Sequence, residues 1–183
     1  NTVNLSATLQ SGSVALSGKS VSFTLNGVSV GNASTNASGV ATLSNISLSG
    51  INAGTYPFGA NSGIGASFAE SGPFLASSGN ARLTVNKRAI TVTAVTSTKT
   101  YDGTTASSGT PTITSGTLAD GDTATWTQTY GSKNVGTGKT LTPAGSVSDG
   151  NSGNNYTVTF ATNTTGVIDA RAITVTAVTS TKT

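Results

Sequence analysis

Val21-Ser22-Phe23-Thr24-Leu25-Asn26-Gly27-Val28-Ser29-Val30 is the stretch on which the fold turns. Apolar and hydroxyl side chains alternate on both sides of Asn26-Gly27. A period of two puts Val21, Phe23 and Leu25 on one face of a strand and the serine and threonine on the other. Asn-Gly supplies two neighbouring residues that tolerate positive φ, so the ten residues predict a hairpin closed by a type I′ turn. The same alternation recurs outward. It appears in Leu5–Leu9, in Val40–Leu43 behind Ala37-Ser38-Gly39, in Gly54–Tyr56 and in Leu83–Val85. Farther along it appears in Ile90–Val95, Thr112–Thr114, Thr123–Tyr130, Lys139–Leu141, Tyr156–Phe160 and Gly166–Ile168. No window keeps a 3.6-residue apolar period for more than two turns, so the chain is expected to be all-β. Serine and threonine make up about a third of the residues, and threonine is a β-branched residue suited to a pleated surface.

The domain plan comes from a repeat. Arg88-Ala-Ile-Thr-Val-Thr-Ala-Val-Thr-Ser-Thr-Lys-Thr100 returns without a change as residues 171–183, a spacing of 83. Self-similarity at a fixed period marks an array of structural units. This period exceeds that of a solenoid and suits an immunoglobulin-like sandwich. The sequence therefore predicts two tandem immunoglobulin-like β-sandwich domains, 1–87 and 88–170, plus the first strand of a third at 171–183. The chain reads as an internal piece of something longer, with neighbouring repeats of the same chain as its partners. In the last segment Ile173, Val175 and Ala177 alternate along a nearly uncharged strand. Such a strand is a natural donor to a sheet edge of another molecule, which makes self-association into fibres a further expectation.

Composition excludes several kinds of chemistry. Cys, His and Met are absent, and the carboxylates are Glu70, Asp102, Asp120, Asp122, Asp149 and Asp169. Cys/His zinc sites, haem ligation by histidine and Ser-His or Cys-His nucleophile pairs are impossible with this alphabet. Neither an enzyme nor a cofactor is expected. The net charge is +3, and no basic run extends beyond Lys87-Arg88. Nucleic-acid binding needs clustered Lys/Arg with stacking aromatics, so none is expected. No apolar stretch approaches the ~20 residues of a membrane span, and no membrane insertion is expected. The triplet Gly138-Lys139-Thr140 lacks the earlier glycine of a phosphate-binding loop, since Lys133 stands in its place.

Two families are resembled. Residues 5–85 resemble a bacterial Ig-like domain of surface proteins. That likeness rests on Leu5–Leu9, Gly18–Gly27, Gly39–Leu43, Gly54–Tyr56 and Leu83–Val85. Residues 88–170 look like a YDG-type repeat of filamentous-haemagglutinin-like adhesins. Here the carriers are Thr98–Thr105, Asn134–Lys139, Asp149–Tyr156 and Gly166–Ile168. The resemblance implies non-catalytic stalk or spacer modules, secreted to the bacterial cell surface or beyond it, within a tandemly repeated adhesin or filament. A glycan- or host-protein-binding module is the alternative.

The remaining candidates carry chemistry or structure. Tyr101-Asp102-Gly103 reads as a turn, with Asp102 accepting backbone N–H groups and Gly103 supplying positive φ. Tyr101 is expected to pack at the sandwich end with its hydroxyl tied to backbone, as in a tyrosine corner. Asp120, Asp122 and Asp149 are the carboxylates that could ligate calcium, although no bidentate glutamate accompanies them, and turn chemistry is preferred. An intramolecular isopeptide bond would need Lys99, Asn163 or Asp169, and Asp102 as the acid; in the first unit only Lys19 and Glu70 are on offer. Trp126, with Ala124 and Gln128 on its face of the strand, is expected in the core of the second sandwich. Tyr156 belongs to the structural set.

Overall fold

A computed structural model describes residues 1–59 and 61–182. Among them there are strands and turns and no helix, and nothing is long and apolar enough to cross a membrane as a helix. The fold is all-β. The chain divides between Asn86 and Lys87 into two units.

In the first unit the strands are β1 (Thr2–Thr8), β2 (Gln10–Ser11), β3 (Val14–Ala15), β4 (Ser20–Leu25), β5 (Val28–Ser34), β6 (Val40–Ser47), β7 (Gly54–Tyr56), β8 (Ile64–Phe68), β9 (Ser77–Ala81) and β10 (Leu83–Val85). The Asn26-Gly27 turn has φ values of 47° and 80°, the two positive angles of type I′. It pairs Leu25 with Val28 and starts an antiparallel sheet of order β5-β4-β8-β9. Across from it lie the antiparallel pairs β1-β6 and β7-β10, while β2 and β3 form a small hairpin. Val21, Phe23 and Leu25 of β4 meet Leu5, Ala41 and Leu83 of the opposite pairs in one buried cluster. The alternation read in the sequence therefore becomes the inner face of a two-layered core. β9 has no apolar side to bury, and all five of its residues are exposed.

In the second unit the strands are β11 (Arg88–Thr93), β12 (Thr98–Thr100), β13 (Thr112–Ser115), β14 (Thr123–Tyr130), β15 (Gly136–Ser148), β16 (Tyr156–Ala161) and β17 (Asn163–Asp169). They form one sheet of order β13-β11-β16 and another of order β12-β17-β15-β14. The thirteen repeated residues thus serve both sheets: β11 lies in one, Ala94–Ser97 cross over, and β12 lies in the other. Two buried clusters follow. Ile90, Val92, Val147 and Tyr156 make the first, and Ala94, Tyr130, Leu141 and Ile168 the second.

Three features were not legible in the alternation. First, β11 runs parallel to β16 and β12 parallel to β17, whereas an immunoglobulin-like sandwich is built from antiparallel sheets. Second, β15 runs from Gly136 to Ser148, well beyond the Lys139–Leu141 alternation and through Thr142-Pro143-Ala144-Gly145. Pairing with β17 ends at Leu141, so the missing N–H of Pro143 removes no rung on that side. Third, the described part of 171–183 forms no strand, and Ile173, Val175 and Val178 are exposed. The first copy of this sequence pairs with β13, β16 and β17, all of which follow it in the chain. The second copy has no such partners among the described residues. Thr183 lies outside them.

Candidate functional site

The Tyr101-Asp102-Gly103 turn is held from β12. Asp102 Oδ1 accepts from Thr104 N at 2.8 Å, from Thr104 Oγ1 at 2.9 Å and from Lys99 Nζ at 2.8 Å. Lys99 Nζ also donates to Thr104 O at 2.8 Å and lies 5.3 Å from the centre of the Tyr130 ring. Gly103 takes a φ of 81°, as the turn requires. Tyr101 departs from its expected role. Its side chain is exposed, and its backbone N–H reaches Asp169 O at 2.8 Å, docking the turn on the end of β17. The hydroxyl of Tyr130 donates to a backbone oxygen instead, at Val167 O over 3.2 Å.

The Lys99 ammonium and the two Thr104 donors hold the Asp102 carboxyl at about 2, against an ordinary 3.8. The folded state binds this proton less readily than the unfolded chain. Its contribution is therefore present above pH 3.8 and is lost as pH falls towards 2. Melting temperatures of the chain and of Asp102→Asn, compared from pH 5 down to pH 2, are expected to converge over that window. A constant difference would contradict the turn geometry.

Of the three calcium candidates, Asp149 and Asp122 are each engaged separately, and Asp120 is exposed. Asp149 Oδ1 accepts from Asn151 N at 2.8 Å and Gly153 N at 2.7 Å, and Oδ2 accepts from Asn155 N at 3.0 Å. Burial raises the Asp149 pKa, but these backbone donors outweigh it and the carboxyl sits below its ordinary value. A ring of N–H groups aimed at a carboxylate favours negative charge and opposes a cation in the same place. Asp122 Oδ2 accepts the Tyr156 hydroxyl at 2.5 Å, and that hydroxyl accepts Ala119 N–H at 2.8 Å. Burial, and then the bond to Asp122, raise the Tyr156 pKa. Among the described residues no group of three or more carboxylates could hold a metal. Of the isopeptide set, the structure joins Lys99 to Asp102, and Asp169 pairs in register with Thr100 beside Lys99. Lys99 is committed to Asp102 and Thr104, while Asn163 Oδ1 accepts Thr165 N and Oγ1 at 2.7 and 2.6 Å. In the first unit Lys19 lies over the Phe74 ring, and Glu70 is exposed.

This region, from the Lys99–Asp102 turn to the Asp149 loop, has a known counterpart. Residues 86–166 match the family model of the YDG domain. The YDG match takes in the Tyr101-Asp102-Gly103 turn, β14, β15 and the Asp149 loop, and stops three residues short of the end of β17. No curated protein matches the chain. Among solved structures, a chain from a 1.5-MDa bacterial ice-binding adhesin is similar at 19% identity with a TM-score of 0.33. That likeness covers 93% of this chain and 58% of the other, so this chain spans little more than half of its neighbour's length.

Inside the YDG match, β14 turns Ala124, Trp126, Gln128 and Tyr130 inward and four threonines outward. Trp126 is half-buried against the first cluster, and its ring meets Phe160 edge-on at 6.0 Å. Truncation by Trp126→Ala is expected to cost about 3 kcal/mol, the lower end for an aromatic because the ring keeps some exposure. Chemical denaturation followed by circular dichroism measures it, and a loss within error of zero would place the ring outside the core.

Gln128 is the member of this face whose role the sequence did not disclose. It is 2% exposed. Its Oε1 accepts Val95 N–H at 2.8 Å, its Nε2 donates to Val95 O at 2.9 Å, and Nε2 also donates to Ser107 Oγ at 3.0 Å. The side-chain amide thereby acts as a peptide group. It supplies a rung of ladder where the first strand leaves one sheet for the other and has no backbone partner at Val95. An alternating strand pattern shows that Gln128 points inward, but not that a bare segment of backbone waits opposite.

Proposed function

We propose that the chain is a piece of the non-catalytic stalk of a long bacterial surface adhesin. Secreted units repeat in tandem there, and space and present a distal element. The observation that carries this reading is the entry strand. The thirteen residues that feed both sheets of the second unit recur 83 residues later without a change. The YDG match supports the same reading. Neighbouring repeats of the same chain would be its immediate contacts.

The binding-module alternative asks for exposed aromatics in a groove. Tyr130 is 2% exposed and the Trp126 ring faces the core, while Thr123, Thr125, Thr127 and Thr129 line the outside. That arrangement favours spacing over capture of a glycan. Self-association remains part of the proposal, through Ile173, Val175 and Ala177 of the exposed entry strand. Deleting 171–183 is expected to leave the unfolding transition of the second unit unchanged and to remove concentration-dependent association by analytical ultracentrifugation. Loss of the transition would put the segment inside the second unit.

Array length tests the spacer role. Concatenated copies of residues 88–170 are expected to gain about 35–40 Å of maximum dimension per unit by small-angle scattering. Arrays that collapse, with no constant increment, would overturn the proposal.

A further inference from the structure

We infer that the second unit is a force-bearing clamp, in which tension passing along the chain is carried as shear between its first and last segments. The inference deepens the stalk reading and rests on it. Register pairs run in parallel from Arg88↔Tyr156 to Thr93↔Ala161, and again from Thr98↔Val167 to Thr100↔Asp169. The crossover between them is also tied. Ala94 N donates to Ala161 O at 3.0 Å, Val167 N donates to Ser97 O at 3.0 Å, and the Thr96 and Thr165 hydroxyls lie 2.5 Å apart. The ends are closed by Arg88 N to Asn155 O and Tyr101 N to Asp169 O, each at 2.8 Å. Residues 88–101 and 155–169 thus form one ribbon, bonded along both strand pairs, at both ends and at points across the crossover.

Parallel pairing fixes where force enters. Arg88 lies beside Tyr156, and Asp169 lies beside Thr100. Tension arriving through Lys87 and leaving through Ala170 therefore acts at opposite ends of the ribbon. It drives the two segments to slide past each other, and the bonds that cross the ribbon share the load. Had entry and exit lain at one end, the rungs would open one after another. Sliding is further opposed by packing. Ile90 and Val92 sit in one buried cluster and Ala94 in the other, with Val95 held on both its polar groups by Gln128. A one-residue slip would turn each inward side chain outward. The first unit is built otherwise. Its first strand β1 pairs with β6 and its last strand β10 with β7, so its first and last strands are not bonded to one another.

The chain contains no cysteine, so handles can be placed at will. In the full chain, single-molecule pulling between K87C and A170C loads the ribbon in shear. Pulling between K87C and N154C loads the same ribbon from one end. The unfolding force is expected to be several-fold higher in the first geometry at equal pulling speed, with both variants equally stable in denaturant. Equal forces, or a higher force for the K87C/N154C pair, would overturn the clamp. In a second test, Thr96→Val is expected to lower the force of the first geometry and leave that of the second unchanged; a fall in neither would also overturn it. Array length by scattering does not depend on these forces, so failure of the clamp and failure of the spacer reading are separable.

Discussion

Gln128→Leu is expected to lower the stability of the second unit by about 4 kcal/mol, because it strands the N–H and C=O of Val95 at about 1–3 kcal/mol each and removes one of the two donors to the Ser107 hydroxyl. The side chains are of similar size, so little of the loss comes from a cavity. A small domain has only about 5–15 kcal/mol in all, so the unit would be near its limit. Trp126, the single tryptophan, lies in this unit, and its fluorescence in a denaturant titration reports the unit alone. Gln128→Glu adds a sign test. Burial raises the pKa of the introduced carboxyl above the unfolded value of about 4.3, so the unfolded chain releases its proton first. Stability is then expected to fall as pH rises above 4.3. A Gln128→Leu variant as stable as the parent, or a Gln128→Glu variant more stable at pH 8 than at pH 4, would remove Gln128 from the crossover.

Gly145→Ala is expected to cost about 3 kcal/mol or more. Gly145 pairs with Trp126 across β14 and β15 and holds a φ of 146°. A Cβ at this position would fall within contact of the carbonyl oxygen of Thr125 and of the Trp126 ring. The first of these is backbone and cannot swing aside, so the pair of strands must part locally. Neighbouring Ala144 pairs with Thr127 and is exposed, so Ala144→Ser is expected to be silent. Equal melting of Gly145→Ala and the parent would mean that the two strands do not approach each other in this way.

Much of the fold could be read from the sequence because period-two patterns report directly on which side chains are buried. Val21, Phe23 and Leu25 were placed on one face by alternation alone, and that face is buried. The turn at Asn26-Gly27 follows from the conformations these two residues permit. Parallel pairing could not be read in this way, since a strand has the same pattern whichever way its neighbour runs. The length of β15 was hidden because Pro143 and Gly145 signal a break locally, and only the end of β17 pairing makes the proline harmless. At the candidate site the turn role of Asp102 was legible from Asp-Gly chemistry. The role of Tyr101 was not, because a tyrosine beside a turn has no sequence mark telling whether its ring or its backbone is used. Asp149 illustrates the same limit. Its sequence neighbours suit a cation loop and an Asx-type turn equally, and only the direction of the N–H groups separates the two.

The central claim is that the thirteen repeated residues are the entry strand of a unit completed by the seventy residues after it. Hydrogen exchange tests this most directly, on the chain extended after Thr183 by a second copy of residues 101–170. The account predicts that amides of 171–183, exposed and unpaired across the described residues of the parent chain, become protected in the pattern of 88–100. Ile173 and Val175 should then match Ile90 and Val92. Fast exchange throughout 171–183 in the extended chain, beside a folded second copy of 101–170, would contradict it.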